Sequence, residues 1–161
     1  YSVVLVERES QPGYHSTGRS AAMYVETYGN AAVRALTVAG RDLFRSPPAG
    51  FAEHQLVSAR GSMFVGSAAQ GSLVRQMYDD SRALSPSIRL IPAQEALVLC
   101  PSLRAAACEH ALLDPEAMDI DVHALHQGYL RGARRLGARA GIGQAGLHQR
   151  DRRPIRALPG T

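Results

Sequence analysis

The sequence predicts an α/β fold, and three observations carry that prediction. A continuous apolar run, Val3-Val4-Leu5-Val6, ends in a carboxylate, Glu7. Unbroken runs of this kind mark parallel strands that helices cover on both faces. Two longer segments, 30–44 and 122–136, repeat apolar residues at helical spacing. Between them lie short strand-like segments at 55–67 and 89–91, set off by Gly and Pro.

The elements follow in order. Ser10 to Ser20 is a loop rich in Gly, Ser and Thr, and Ser20 is a candidate N-cap for a helix starting over Ala21–Tyr28. Asn30 to Phe44 reads as one helix, with Val33, Leu36, Thr37, Gly40, Leu43 and Phe44 on one face. Ser46-Pro47-Pro48-Ala49-Gly50 stops it and marks a domain crossing. Leu56-Val57, a turn near Ala59-Arg60-Gly61, and Met63-Phe64-Val65 read as a hairpin. Gly71 to Leu84 is helical, Arg89 to Ile91 a short strand, and Pro92 suits the first turn of a helix through Leu99. Ala105 to Leu113 reads as a strand ended by Asp114-Pro115. Asp121 caps a helix over Val122–Leu136, whose carboxyl end carries Arg131, Arg134 and Arg135 where cations meet the helix dipole favourably. From Gly137 the periodicity stops. The stretch 137–161 predicts disorder, and its Gly, Ala, Arg and Pro content is what a GC-rich coding sequence yields out of frame.

Composition sets further bounds. A chain of 161 residues suits about one domain. All 18 basic residues are Arg, and from Arg131 onward eight Arg face one acid, Asp151. The net charge of +4 therefore belongs to the tail and argues only weakly for a nucleic-acid partner. Cys100 and Cys108 are too few for a disulfide framework and read as buried thiols. No apolar run approaches the ~18 residues of a membrane span. With a strand rather than a signal peptide at the start, a cytoplasmic location is the expectation. His123-x-x-His126, preceded by Asp119 and Asp121, reads as a polar helix start rather than a metal site, and no metal is expected.

Glu7 and the loop after it carry the functional reading. An acid at the carboxyl end of an apolar strand resembles the second strand of a dinucleotide-binding βαβ unit, where the carboxylate accepts bonds from ribose hydroxyls. The Gly-rich turn of such a unit stands about 20 residues before that acid. Only six residues precede Glu7, so the chain reads as part of a longer unit, truncated at both ends.

The stretch Gln11-Pro12-Gly13-Tyr14-His15-Ser16-Thr17-Gly18-Arg19-Ser20-Ala21-Ala22 resembles the glycine oxidase and D-amino acid oxidase family of FAD-dependent enzymes, most closely its D-arginine dehydrogenase-like branch. Pro47-Pro48-Ala49-Gly50-Phe51 with Glu53-His54, and Asp119-Ile120-Asp121 leading to Ala124–Gly132, are similar too. The resemblance covers about Tyr1 to Leu136. It implies part of a Rossmann-like FAD-binding domain interleaved with a mixed-sheet substrate domain. Residues 1–45 and 119–136 would belong to the first, 46–118 to the second.

By the same resemblance Glu7 holds the adenosine ribose of FAD with Arg8 beside it. Ser16, Thr17, Gly18, Arg19, Ser20, Ala21, Ala22 and Met23 run under the pyrophosphate towards the flavin. Tyr28 and Ser62 fall at the substrate cavity. Met23 stands where the D-arginine dehydrogenase-like pattern has a His, and Ser62 where an acid is expected for a cationic substrate. The implied reaction oxidises an amino acid at its α-carbon to an imine, which water converts to a keto acid. No catalytic side chain is singled out. The family's carboxylate-binding Arg would lie in a carboxyl-terminal half outside this chain, and the chain alone is expected not to bind FAD tightly. Two alternatives stay open: a non-catalytic remnant that docks with a complementary chain, and a small Arg-rich nucleic-acid-binding module.

Overall fold

The computed structural model describes residues 2–143. The apolar run forms strand β1 (Val4–Glu7), which pairs in parallel with β8 (Arg139–Ile142), Val4 opposite Arg139 and Glu7 opposite Ile142. The expected disorder from Gly137 is thus corrected over its first residues. Gly137 turns the chain at φ +88°, a conformation suited to glycine after a helix. Residues 139–142 then join the ladder through main-chain groups, which need no side-chain alternation. The rest of that expectation, 144–161, lies outside the described residues.

Two three-stranded antiparallel sheets make the body. One has the order β2 (Met23–Tyr24), β7 (Met118–Ile120), β3 (Val57–Ala59). The other has the order β4 (Ser62–Gly66), β6 (His110–Asp114), β5 (Arg89–Pro92). The hairpin expected over 55–67 does not form. β3 and β4 instead continue one another along a shared, distant partner, the segment 110–120. Between Ala59↔Met118 and Ser62↔Asp114, residues 115–117 face only residues 60 and 61. The N–H groups of Arg60 and Gly61 both donate to the Ala117 carbonyl, at 3.2 and 2.8 Å. Gly61, at φ +80°, serves a β-bulge rather than a reversal.

Helices α3 (Gly71–Ser81) and α4 (Ala93–Leu99) cover the β4–β6–β5 sheet. Neighbouring residues of β6 feed separate cores, as strand alternation requires. Ala111 packs with Ile91, Ala96 and Cys108, and Leu112 with Val74 and Ile88. The single helix expected over 30–44 is two, α1 (Ala31–Ala39) and α2 (Arg41–Arg45), joined at Gly40. Asn30 caps the first by accepting the Val33 N–H at 3.1 Å. The break splits the apolar stripe. Phe44 packs on Tyr24 with ring centroids 5.0 Å apart, while Leu36 is left 74% exposed. The helix expected from Ser20 is also absent. A 3-10 turn at Thr17–Arg19 precedes the extended residues of β2.

Helix α5 (Val122–Arg135) begins as expected, Asp121 accepting the Ala124 N–H at 2.8 Å. It docks through Gly128, which lies directly against the Phe51 ring, and Arg131 donates to the Phe51 carbonyl. Among the described residues no helix is long and apolar enough to cross a membrane.

Candidate functional site

Residues 20–23 form a partition between two open clefts. Ser20 and Ala22 line the smaller one, about 360 Å³, whereas Ala21 and Met23 line the larger, about 1130 Å³. Ser20 is extended and β2 begins at Met23, so the turn between them decides which cleft each residue meets. At the partition Ala22 takes φ +54°, the one positive φ at a non-glycine position among the described residues. Its carbonyl accepts the Ile120 N–H at 2.7 Å, tying the partition to the end of β7.

The smaller cleft is walled by the 13–18 loop and the start of α5. Gly18 closes the loop by donating to the Gly13 carbonyl at 2.7 Å, and a Cβ at Gly18 would come within 2.8 Å of that oxygen. Gly13, at φ +80°, packs against His126, whose ring a Cβ would approach to 3.0 Å. Both glycines are therefore required for the loop to lie this close to itself and to the helix. Thr17 and Ser20 bring hydroxyls to this cleft, and Asp121, His123 and His126 stand opposite. Asp121 keeps its carboxyl below the ordinary range because it accepts the Ala124 N–H and lies 3.1 Å from His54 Nε2. An ionised Asp at this helix start disfavours a phosphate there and suits hydroxyls as hydrogen-bond donors. Among the described residues no group of three or more His, Cys, Asp or Glu is arranged to hold a metal.

The other cofactor candidates stand outside this cleft. Glu7 ends β1 half-buried, its Oε1 accepting the Glu9 N–H at 3.1 Å, which holds the carboxylate at the strand end. Arg8 is exposed and pairs with Glu9 at 3.0 Å. Glu9 also lies 3.1 Å from His15, and these two partners hold its carboxyl low. Arg19 lies over the Tyr14 ring, 5.3 Å from its centroid, and lines neither cleft. Ser16 is exposed at the start of the 3-10 turn and its side chain caps nothing.

The larger cleft brings together the two substrate candidates, which are 34 positions apart in sequence. Tyr28 and Ser62 both line it, with Ala21 and Met23. Ser62 Oγ is buried and has no hydrogen-bond partner among the described residues. Tyr28 is 66% exposed.

A buried polar network that the sequence reading did not identify stands behind this cleft. Arg41 grips Glu26 with two bonds, Nε to Oε1 at 2.7 Å and Nη2 to Oε2 at 2.5 Å. The Tyr24 hydroxyl donates to Glu26 Oε1 at 2.7 Å and also lies 2.9 Å from the Thr37 carbonyl. Arg41 holds the Glu26 carboxyl below the ordinary range despite burial. Burial and the adjacent carboxylate push the Tyr24 phenol up. One residue on, Thr27 donates to Asp114 Oδ2 at 3.1 Å, and Asp114 Oδ1 accepts the Glu116 N–H at 3.1 Å. Burial raises the Asp114 carboxyl. Asp114 is also the ladder partner of Ser62, so one buried acid joins the segment carrying Tyr28 to the strand carrying Ser62. Glu26 and Arg41 fall in two different expected helices, over 21–28 and 30–44. Two charges 15 positions apart give no sequence signal that they will meet in a buried site.

Comparison with known proteins gives this arrangement a context. The fold resembles glycine oxidase from Geobacillus kaustophilus, with a TM-score of 0.70 at 16% identity over 88% of this chain and 40% of that one. It resembles L-proline dehydrogenase from P. horikoshii, with a TM-score of 0.69 at 15% identity over 88% and 37% of the two chains. L-alpha-glycerophosphate oxidase from Mycoplasma pneumoniae, solved with FAD bound, gives a TM-score of 0.69 at 11% identity over 88% and 38%. At such identities the likeness is one of fold, and the chain spans about 40% of the length of these structures. The sequence itself matches the family described as DAO, FAD dependent oxidoreductase, over residues 1–153. A mixed α/β chain with a parallel β1–β8 pair and two antiparallel sheets thus matches part of the fold of these larger structures. The chain belongs to the DAO family of FAD-dependent oxidoreductases.

Proposed function

We propose that this chain contributes the ribose-binding acid, the flavin-side loop and one wall of the substrate cavity to an FAD-dependent enzyme that oxidises an amino acid at its α-carbon. The observation that carries the reading is the partition 20–23, whose alternate residues line two clefts, with Tyr28 and Ser62 gathered in the larger. The chemistry FAD supplies in such an enzyme is acceptance of a hydride, leaving an imine that water converts to a keto acid.

The residues present fit that group. Glu7 is fixed at a strand end with acceptor capacity for ribose hydroxyls. The glycines at 13 and 18 admit a close-packed loop, and Thr17 and Ser20 line the adjoining cleft with hydroxyls. Small side chains at 20–22 leave main chain accessible on either side of the partition. In the larger cleft Tyr28 presents a phenol that would hydrogen-bond a substrate carboxylate. The D-arginine dehydrogenase-like character of the 11–22 stretch supports an amino-acid substrate. A complementary chain carrying the remainder of the fold is a further proposed partner.

The test uses the protein as its gene encodes it. Purified from cells with the remainder of the fold present, it should be yellow, and heat should release FAD identifiable by mass. Anaerobic addition of amino acids, tested one by one as both enantiomers, should bleach the flavin. Retention of FAD without bleaching by any amino acid would overturn the reaction but not the cofactor. Glu7→Gln should weaken FAD binding by about 10-fold or more, the worth of one charge-assisted hydrogen bond. Unchanged affinity would remove Glu7 from the site.

A further inference from the structure

We infer that Thr27 and Asp114 are positioning residues, whose buried hydrogen bond fixes where Tyr28 stands relative to Ser62 in the larger cleft; the inference rests on the reading above for what Tyr28 binds there. The bond runs from Thr27 Oγ1 to Asp114 Oδ2 at 3.1 Å, and both residues are buried. Thr27 immediately precedes Tyr28, and Asp114 pairs with Ser62 in the β4–β6 ladder. Tyr28 and Ser62 both line the cleft, whereas Thr27 and Asp114 do not.

The chain is secured on both sides of Tyr28. Before it, Tyr24 and Glu26 are bonded to the Thr37 carbonyl and to Arg41. After it, the backbone turns at Gly29, at φ +85°, whose carbonyl accepts Arg34 Nη1 at 2.9 Å, and Asn30 caps α1. The Tyr28 side chain between these anchors is exposed. Its backbone is therefore held while its phenol stays open to a ligand. Of these anchors, the Thr27–Asp114 bond is the one that reaches the β4–β6–β5 sheet, which carries Ser62.

Stability gives a poor account of this pair. Burying an acid costs free energy that a well-packed apolar pair would not. What the bond adds is direction, because donor and acceptor meet in one geometry whereas apolar groups can slide. A carboxylate held by the Tyr28 phenol depends on that direction. A displacement of the phenol by about 1 Å is enough to lose a good hydrogen bond.

A double-mutant cycle on the FAD-loaded protein, with the remainder of the fold present, tests the inference. Thr27→Val keeps the shape of the side chain and removes the donor. With the amino acid that reduces the flavin fastest, it should raise KM about 10-fold and change kcat by less than about 3-fold, the mark of lost ground-state binding. Tyr28→Phe should have an effect of similar size, and Thr27→Val should add nothing further in the Tyr28→Phe protein. Thr27→Ser, which keeps the donor, should stay within about 3-fold of the parent KM. Affinity for propanoate, measured by calorimetry, should follow the same pattern without turnover.

An equal loss from Thr27→Val with and without the phenol would mark a general effect on the fold and overturn the inference, leaving the amino-acid reading intact. An unchanged KM and propanoate affinity in Thr27→Val would do the same. If no amino acid reduces the flavin, the reading falls and the propanoate cycle decides the inference, which a protein that binds no propanoate also overturns. Should Thr27→Val not fold, combining it with Asp114→Asn leaves no buried charge and keeps the bond from the Glu116 N–H, and the cycle is run on that pair.

Discussion

Glu26 and Asp114 are both buried acids within a few residues of the candidate substrate face, yet their surroundings push them in opposite directions. Arg41 holds Glu26 low, so its stabilising effect is present above the ordinary carboxyl pKa of about 4.3 and is lost as pH falls through the folded value. Glu26→Gln should therefore lower the melting temperature most near pH 7, and the difference from the parent should shrink in acid. Asp114 is raised by burial, so the protonated acid is the better-tolerated form. Its effect on stability declines as pH rises through the folded value. Asp114→Asn can keep the bond from the Glu116 N–H and reverse the other, its amide donating to the Thr27 hydroxyl, and its melting temperature should gain on the parent as pH goes from 4 to 7. A pH-independent difference in either series would show that the acid titrates alike in the folded and unfolded chains. Removing the cation instead, by Arg41→Met, should cost about 2 kcal/mol. That is less than for a fully enclosed pair, because the Arg41 side chain is 38% exposed. None of this was legible in the sequence. Glu26-Thr27 reads as part of the helix expected over Ala21–Tyr28 and Asp114 as a strand terminator, since burial comes from partners 15 and 87 positions away.

At the scale of elements, the capped helix starts at 30 and 121 held, the one at Ser20 did not, and strand pairings departed furthest from expectation. Asn30 and Asp121 announce their helices because an N-cap is a contact within three residues. The Ala59-Arg60-Gly61 signal was real as well, but glycine at positive φ serves a bulge as readily as a turn. Only the distant partner strand decides which. The docking of α5 gives the sharpest prediction here. A Cβ at Gly128 would stand 2.5 Å from the Phe51 ring, which also packs edge-on against Tyr129 with centroids 5.2 Å apart. Gly128→Ala should cost about 1–3 kcal/mol by overpacking, despite alanine's better helix propensity. Phe51→Leu in the same chain should recover part of the loss. Chemical denaturation of the two variants would measure both effects.

For the molecule as a whole, one strand stands out because four consecutive apolar residues are exposed along it. Val3, Val4, Leu5 and Val6 are 52, 62, 40 and 57% exposed, and β1 pairs with β8 alone among the described strands. An apolar strand with an open edge recruits another strand. A sample of this chain by itself should self-associate with rising concentration, and Val4→Lys should reduce that association in sedimentation velocity. Equal behaviour of parent and variant would place the sticky surface elsewhere. The family was legible because the 11–22 loop is a contiguous motif. The two-cleft arrangement was not, since the larger cleft is assembled from segments as far apart as residues 21 and 120.

The β1–β8 pair joins Val4 to Arg139, and that separation acquires meaning during synthesis. Chains emerge from the ribosome at about 5–20 residues per second. The strand made first then waits roughly 7–27 s for the one that completes its ladder, at those elongation rates. The β4–β6–β5 layer closes over much shorter spans and is in place earlier. A cell making this protein quickly must therefore keep one nascent, sticky segment from its neighbours on crowded polysomes. Slowing translation near the amino end would lengthen the interval between initiations and thin out those neighbours, improving the soluble yield without altering a single residue.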